Sequence, residues 1–131
     1  MNTTTDLLET LRAHLAAFEV PALFSIRLTP STVGPNMSAQ LDGHHLPRIA
    51  AGLLAWADTL TEVTTTAWRV PNGESVHLVV TGLLSGGVTV EVYGGVPFIG
   101  RGFGAELTPG STTTVPLAVL RAMTPLAEVT L

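Results

Sequence analysis

Three consecutive stretches between Thr61 and Tyr93 constrain the fold more than any other feature of this chain. The run TEVTTTAWRV ends at PNGE, the run SVHLVVTGLL ends at SGG, and VTVEVY follows. β-Branched residues favour strands, and short connections that contain glycine join neighbouring antiparallel strands. The sequence therefore predicts a three-stranded antiparallel meander.

The residues before this meander show two hydrophobic periods. Asp6 is followed by Glu9, as in a capping box, and apolar residues then recur at helical spacing as far as Pro21: Leu7, Leu8, Leu11, Leu15 and Phe18. This pattern predicts an amphipathic helix over residues 6–19. Over residues 24–28 and 37–41, apolar and polar residues alternate, which predicts two strands that pair antiparallel.

Proline positions indicate two further helices. Pro47 suits the first position of a helix, and the stripe that follows is expected to be buried: Ile49, Leu53, Trp56 and Leu60. Near the end of the chain, STTTVPLAVLRAM combines hydroxyl residues, an early proline and an apolar run, which predicts a short C-terminal helix. The last residues, LAEVTL, fit either an edge strand or a loose tail.

These elements predict one α+β domain over residues 1–131. Helices combined with runs of antiparallel strands are typical of a two-layer architecture. We expect an antiparallel sheet of about five or six strands, with two main helices on one face and the short C-terminal helix. The open face would carry Val79 and, depending on register, Trp68 or Tyr93, while Arg27 and Arg69 are expected to be solvated.

The composition excludes several classes of function. The chain has no cysteine, and its six cationic residues are all arginines, spread singly along a chain of net charge −4. Thiol chemistry, a Schiff-base lysine and a basic nucleic-acid surface are therefore not expected. The N-terminus lacks a signal-peptide pattern, and no apolar run approaches the roughly 20 residues that span a bilayer. We expect a cytoplasmic protein without nucleic-acid or membrane partners, encoded by a GC-rich, bacterial genome.

The histidine pair in LDGHHLP, His44 and His45, is the first candidate for a site. Imidazole nitrogens, with Asp42 or His77 nearby, are typical metal ligands. Adjacent side chains on an ordered backbone usually diverge, however, and the spacing His-x-x-x-His is absent. We therefore expect no metal and place the pair in the turn that starts the second helix, with ligand binding as the alternative role.

The glycine-rich stretch GGVPFIGRGFG, residues 94–104, is the second candidate. Its backbone N–H groups and Arg101 could bind an anion, although neither phosphate-binding glycine motif is present. Phe98 and Phe103 around an arginine are also residue types enriched at protein interfaces. We rank a structural loop first, a protein contact second and an anion site third.

No motif in the sequence indicates a catalytic residue or a cofactor. Charged residues make up 12% of the chain, about half the usual 25%, which suggests that a partner covers part of the surface. We therefore expect a non-enzymatic interaction module or adaptor, either a homodimer or bound to another protein, that uses Phe98, Phe103 and the open face. The alternative is a small-molecule or anion-binding domain, which could include an enzyme, with Arg101, His44 or His45 in a pocket between helix and sheet.

Overall fold

The structure is a computed structural model that describes residues 3–124. It contains the helices α1, Thr4–Ala17, α2, Leu46–Ala57, and α3, Leu117–Met123. The strands are β1, Leu23–Leu28, β2, Met37–Leu41, β3, Thr61–Arg69, β4, Ser75–Leu83, β5, Thr89–Pro97, and β6, Thr112–Thr114. The alternatives for LAEVTL lie outside the described residues. Within residues 3–124, no helix has the length and apolar character needed to cross a membrane.

Helix α1 begins two residues earlier than predicted because Thr3 caps it. The Thr3 hydroxyl accepts a hydrogen bond from the Asp6 backbone N–H at 3.1 Å, and the Asp6 carboxylate accepts one from the Thr3 backbone N–H at 3.0 Å. The capping box therefore consists of Thr3 and Asp6. Glu9, which the sequence assigned to the box, pairs instead with Arg12.

The prediction of a purely antiparallel sheet is wrong, because β2 and β5 pair in parallel. The protein is α+β with a six-stranded mixed sheet in the order β1-β2-β5-β4-β3-β6. The predicted hairpin of β1 with β2 and the meander of β3, β4 and β5 are both antiparallel, as expected. Helix α2 connects β2 to β3 as a crossover, so the two strands run in the same direction. β5 is two antiparallel steps from β3 and therefore also runs parallel to β2.

The C-terminal region differs from its prediction in one element. Residues 112–114, interpreted in the sequence as the cap of a helix, form strand β6, which pairs with β3. The predicted helix follows as α3, with Pro116 at its N-cap. The backbone of this segment therefore extends the sheet, and the proline starts the helix.

Helix α2 packs against β4 and β5. The predicted stripe is buried, with Ile49, Leu53 and Trp56 nearly inaccessible to solvent. Ile49 lies directly over Gly94 of β5, where an added Cβ would be 2.6 Å from the Ile49 Cδ1 atom. Gly94 therefore belongs to a strand that must approach a helix closely, and not to the glycine-rich loop predicted from residue 94 onward.

His14 holds α1 against the turn that follows α2. Its buried ring stacks on Trp56 with 5.7 Å between the centroids. The Thr59 hydroxyl donates its proton to the Trp56 carbonyl oxygen at 2.7 Å, so Nε2–H of His14 must donate to Thr59 Oγ1 at 2.8 Å. The contact therefore defines one tautomer of the neutral imidazole.

The buried residue Asn36 connects the β1–β2 hairpin to the meander. Its backbone N–H lies 2.9 Å from Thr89 Oγ1, and its side-chain Oδ1 accepts a hydrogen bond from the Thr89 backbone N–H at 3.2 Å. Its amide nitrogen donates to the carbonyl oxygens of Thr29 and Ser31. One side chain thus joins the loop after β1 to the first residue of β5.

Replacing Asn36 with alanine is expected to lower the free energy of unfolding by about 2 to 3 kcal/mol, because several buried hydrogen-bonding groups lose their partner. Urea unfolding of the Asn36→Ala protein measures this loss. Asn72→Ala is the matched control, since Asn72 is exposed and makes one local contact, with the Glu74 backbone N–H. Equal losses in the two variants would contradict a special role for Asn36.

Candidate functional site

The face of the sheet opposite helix α2 forms a shallow hollow across the central strands. Along β4 and β5, buried residues alternate with half-buried ones. The half-buried residues and their neighbours line a hollow of about 600 Å³: Ser38, Thr66, Trp68, His77, Val79, Thr81, Glu91, Tyr93 and Thr112. We refer to these nine residues as the open face. The sequence placed a pocket on the other side of the sheet, between helix and strands.

Three aromatic side chains form a row on the open face. The Trp68 indole meets the His77 imidazole edge-on with 5.4 Å between centroids, and His77 stacks on the Tyr93 ring at 5.6 Å. Gly95 lies opposite His77 in the β4–β5 pairing, and a Cβ at Gly95 would be 3.1 Å from the imidazole. The sequence left open whether Trp68 or Tyr93 reaches this face, and the structure places both there.

Polar side chains from β2 lie beside this row. Because β2 and β5 are parallel, Ser38 lies opposite Glu91 and Gln40 opposite Tyr93. The Ser38 hydroxyl donates a hydrogen bond to Glu91 Oε1 at 3.0 Å, and the Tyr93 hydroxyl lies 3.4 Å from Gln40 Oε1. On the far side of Glu91, the hydroxyls of Thr64 and Thr81 bond to each other. The hollow therefore has an aromatic side and a hydrogen-bonding side.

The open face carries little charge. Partial burial lowers the pKa of His77 below its ordinary value of 6.5, so the imidazole is neutral at pH 7. All nine lining residues belong to the described part of the chain. Glu91 is their only carboxylate, and they include no arginine. At neutral pH the hollow is thus mildly negative.

The two adjacent histidines of the sequence prediction have different surroundings. His45 is the N-cap residue of α2, and its backbone carbonyl accepts a hydrogen bond from the Ile49 N–H at 2.9 Å. His44 is exposed and lines a second hollow of about 360 Å³ that shares His77 with the open face. In residues 3–124, no group of three or more histidine and acidic side chains could hold a metal ion.

The predicted contact residue Phe98 packs against an arginine. The Arg69 guanidinium lies 3.5 Å from the centroid of the Phe98 ring. It also donates hydrogen bonds to the carbonyl oxygens of Gly73 at 3.0 Å and Leu107 at 2.9 Å. The prediction of a solvated Arg69 is therefore wrong, because this side chain joins the β3–β4 turn to the loop after β5.

Arg101 and Phe103 do not contribute to the open face. Phe103 is half-buried and packs against the core, whereas Arg101 is exposed at the tip of the loop. The structure brings only His44 of the five predicted binding residues near the hollow. Ser38, Gln40 and Glu91 were not singled out in the sequence, although the alternation in VTVEVY already placed Glu91 and Tyr93 on one side of a strand.

Comparisons with known proteins do not identify a family. The chain matches no protein-family model, and no significant similarity to a characterised protein or to a solved structure was found. The function must therefore be inferred from the chemistry of the site.

Burial lowers the pKa of both His14 and His77 below 6.5, which predicts an acid-sensitive fold. The unfolded chain, with ordinary histidines, then binds more protons than the folded protein. We expect the contribution of these two histidines to the free energy of unfolding to be complete above about pH 6.5. It should then be lost as the pH drops through the lower pKa values of the folded state. NMR titration of the four histidines and urea unfolding between about pH 7.5 and 5 measure both quantities. His77→Gln should reduce the pH dependence of stability, and a His77 pKa above 6.5 would contradict this expectation.

Proposed function

We propose that the protein binds a small organic molecule in the hollow of the open face, without catalysing a reaction on it. The proposal includes a two-layer arrangement in which the helices cover one side of the sheet and leave this face free. The supporting observation is the row of Trp68, His77 and Tyr93 beside the hydrogen-bonding groups of Ser38, Gln40 and Glu91. Ligand sites usually combine aromatic surface with a few polar groups in hollows of about 300 to 1,000 Å³.

The polarity of the open face favours a small ligand over a permanent sheet-to-sheet interface. The centre of a stable protein interface is apolar and depleted of charged residues. Here the lining set includes Ser38, Thr66, Thr81, Glu91 and Thr112, and Val79 is its one aliphatic member. A ligand that offers its own hydrogen-bonding groups would satisfy these side chains better than a second sheet would.

The contacts of the titratable groups support binding without catalysis. General acid–base chemistry needs a proton donor and acceptor within hydrogen-bonding reach of the reacting group and usually of an orienting partner. Glu91 accepts a hydrogen bond from Ser38, whereas His77 is flanked by two aromatic rings. Within the part of the chain that the structure describes, these two groups do not hydrogen-bond to each other.

Replacing Trp68 with alanine is expected to weaken ligand binding by about tenfold, because an aromatic contact contributes roughly 1 kcal/mol beyond its buried area. A screen of small aromatic and polyhydroxylated compounds by ¹H–¹⁵N NMR would supply the ligands. Hits should shift the resonances of His77, Val79 and Tyr93. The matched control is Phe24→Ala, which removes an exposed aromatic ring outside the hollow. Hits that map to other surfaces, or that bind Trp68→Ala unchanged, would overturn the proposal.

A second candidate function is self-association through the N-terminal region, as part of the expected homodimer or adaptor. Several large apolar side chains are exposed on α1, at its C-cap and on the edge strand β1: Leu8 at 52%, Leu15 at 44%, Phe18 at 45% and Phe24 at 68%. Contiguous exposed apolar surface often marks contact sites. These side chains offer a better contact surface than Phe98, whose ring already packs beneath Arg69.

If α1 and β1 mediate self-association, the double variant Leu15→Gln, Phe24→Ser should convert an oligomer to a monomer. Native mass spectrometry and light scattering measure the subunit count directly. Phe98→Ser serves as the control, since it should loosen the loop after β5 without changing the assembly. A wild-type protein that is monomeric at high concentration would exclude this candidate.

A further inference from the structure

We propose that the open face binds an organic cation, with an ammonium group paired to the Glu91 carboxylate and a flat, aromatic body along Tyr93, His77 and Trp68. This inference rests on the proposed function and adds the chemical class of the ligand. It differs from the anion site that was the third-ranked interpretation of the glycine-rich stretch, because Arg101 lies in an exposed loop and a carboxylate lies in the hollow.

The charge of the hollow favours a ligand of positive charge. Glu91 is the single formal charge among the nine lining residues at neutral pH, given a neutral His77. An anionic ligand would approach this carboxylate without a cation to compensate it, and like charges at close range repel each other strongly in partly desolvated sites. A neutral ligand would not be repelled by the carboxylate, but it would not gain the electrostatic attraction that a cation gains.

The hydrogen-bonding state of Glu91 leaves room for an ammonium group. Its Oε1 atom accepts one hydrogen bond, from the Ser38 hydroxyl at 3.0 Å. An ionised carboxylate offers about four acceptor positions, and an ammonium group brings donors only. Across residues 3–124, no protein donor reaches the Oε2 atom of Glu91. Ser38 thus orients the carboxylate, and the second oxygen remains for the ligand.

The aromatic row provides the second half of the recognition. Tyr93 lies two residues after Glu91 on β5 and on the same face, so a cation held by Glu91 also lies near the Tyr93 ring. Cations within about 6 Å of an aromatic centroid gain roughly 0.5 to 2 kcal/mol. His77 covers one side of the Tyr93 ring and extends the row to Trp68. From β5 to β3 the distance is two strand spacings, about 10 Å, which matches a two-ring body with a short amine arm.

Three indole compounds of nearly equal shape test the sign of the charge. Tryptamine carries an ammonium group, indole-3-ethanol is its neutral counterpart, and indole-3-acetate carries a carboxylate. We expect tryptamine to bind about tenfold more tightly than the alcohol, since a hydrogen bond to a charged group contributes more than one to a neutral group. Indole-3-acetate should bind most weakly. Isothermal titration calorimetry measures the affinities, and ¹H–¹⁵N NMR shows where on the protein each compound binds.

The variant Glu91→Gln assigns the effect to one side chain. Its amide oxygen can still accept the Ser38 hydrogen bond, so the fold should be kept. Tryptamine should then lose about tenfold in affinity and approach the affinity of the alcohol, which should not change. Glu74→Gln is the matched control, because Glu74 is an exposed carboxylate in the adjoining hollow. Added salt should weaken the binding of tryptamine and leave the binding of indole-3-ethanol unchanged, which tests the charge contact without any substitution.

The outcomes separate this inference from the proposed function. Equal binding of amine and alcohol, tighter binding of indole-3-acetate, or an unchanged affinity in Glu91→Gln would overturn the cation inference. The proposed function would survive these results if open-face resonances still shift and Trp68→Ala still weakens binding. If none of the three compounds shifts open-face resonances at millimolar concentration, the cation inference fails. The proposed function fails as well only if the wider screen of aromatic and polyhydroxylated compounds also leaves those resonances unshifted.

Discussion

The hydrogen bonds between Asn36 and Thr89 are the constraint on which the rest of the sheet depends. They join the β1–β2 hairpin to β5 at the point where their parallel pairing starts. A parallel pair is connected by a crossover, so it has no hairpin to set its register. The register set here places Ser38 against Glu91 and Gln40 against Tyr93. A shift by one residue would turn every β2 side chain to the opposite face.

Two consecutive glycines of β5 allow close contacts on opposite faces of the sheet. Gly94 lies under Ile49 of α2, and Gly95 lies under the His77 ring. A side chain at the first would push the helix away from the sheet, and one at the second would displace the imidazole that stacks on Tyr93. The same dipeptide therefore supports close packing on the core side and the aromatic row on the open side. Stability and the candidate site depend on neighbouring residues of one strand.

The sequence predicted most elements because their signals are local. The α2 stripe, the meander and the β1–β2 hairpin follow from hydrophobic period and turn residues, and all are present. The β2–β5 pairing was missed because it joins residues about fifty positions apart, and no local pattern encodes it. The site was predicted less well for the same reason. The Ser38–Glu91 contact depends on that pairing, and Phe98 was assigned to a partner because its packing under Arg69 is also non-local.

The candidate site requires an open face that is accessible in solution, and chemical labelling of histidines measures that accessibility. Diethyl pyrocarbonate modifies neutral, accessible imidazoles, and mass spectrometry reports the extent at each histidine. We expect His77 to react at a rate independent of protein concentration, while buried His14 reacts far more slowly. Protection of His77 to the level of His14, or protection that grows with protein concentration, would show that the face is covered and would contradict the proposed site.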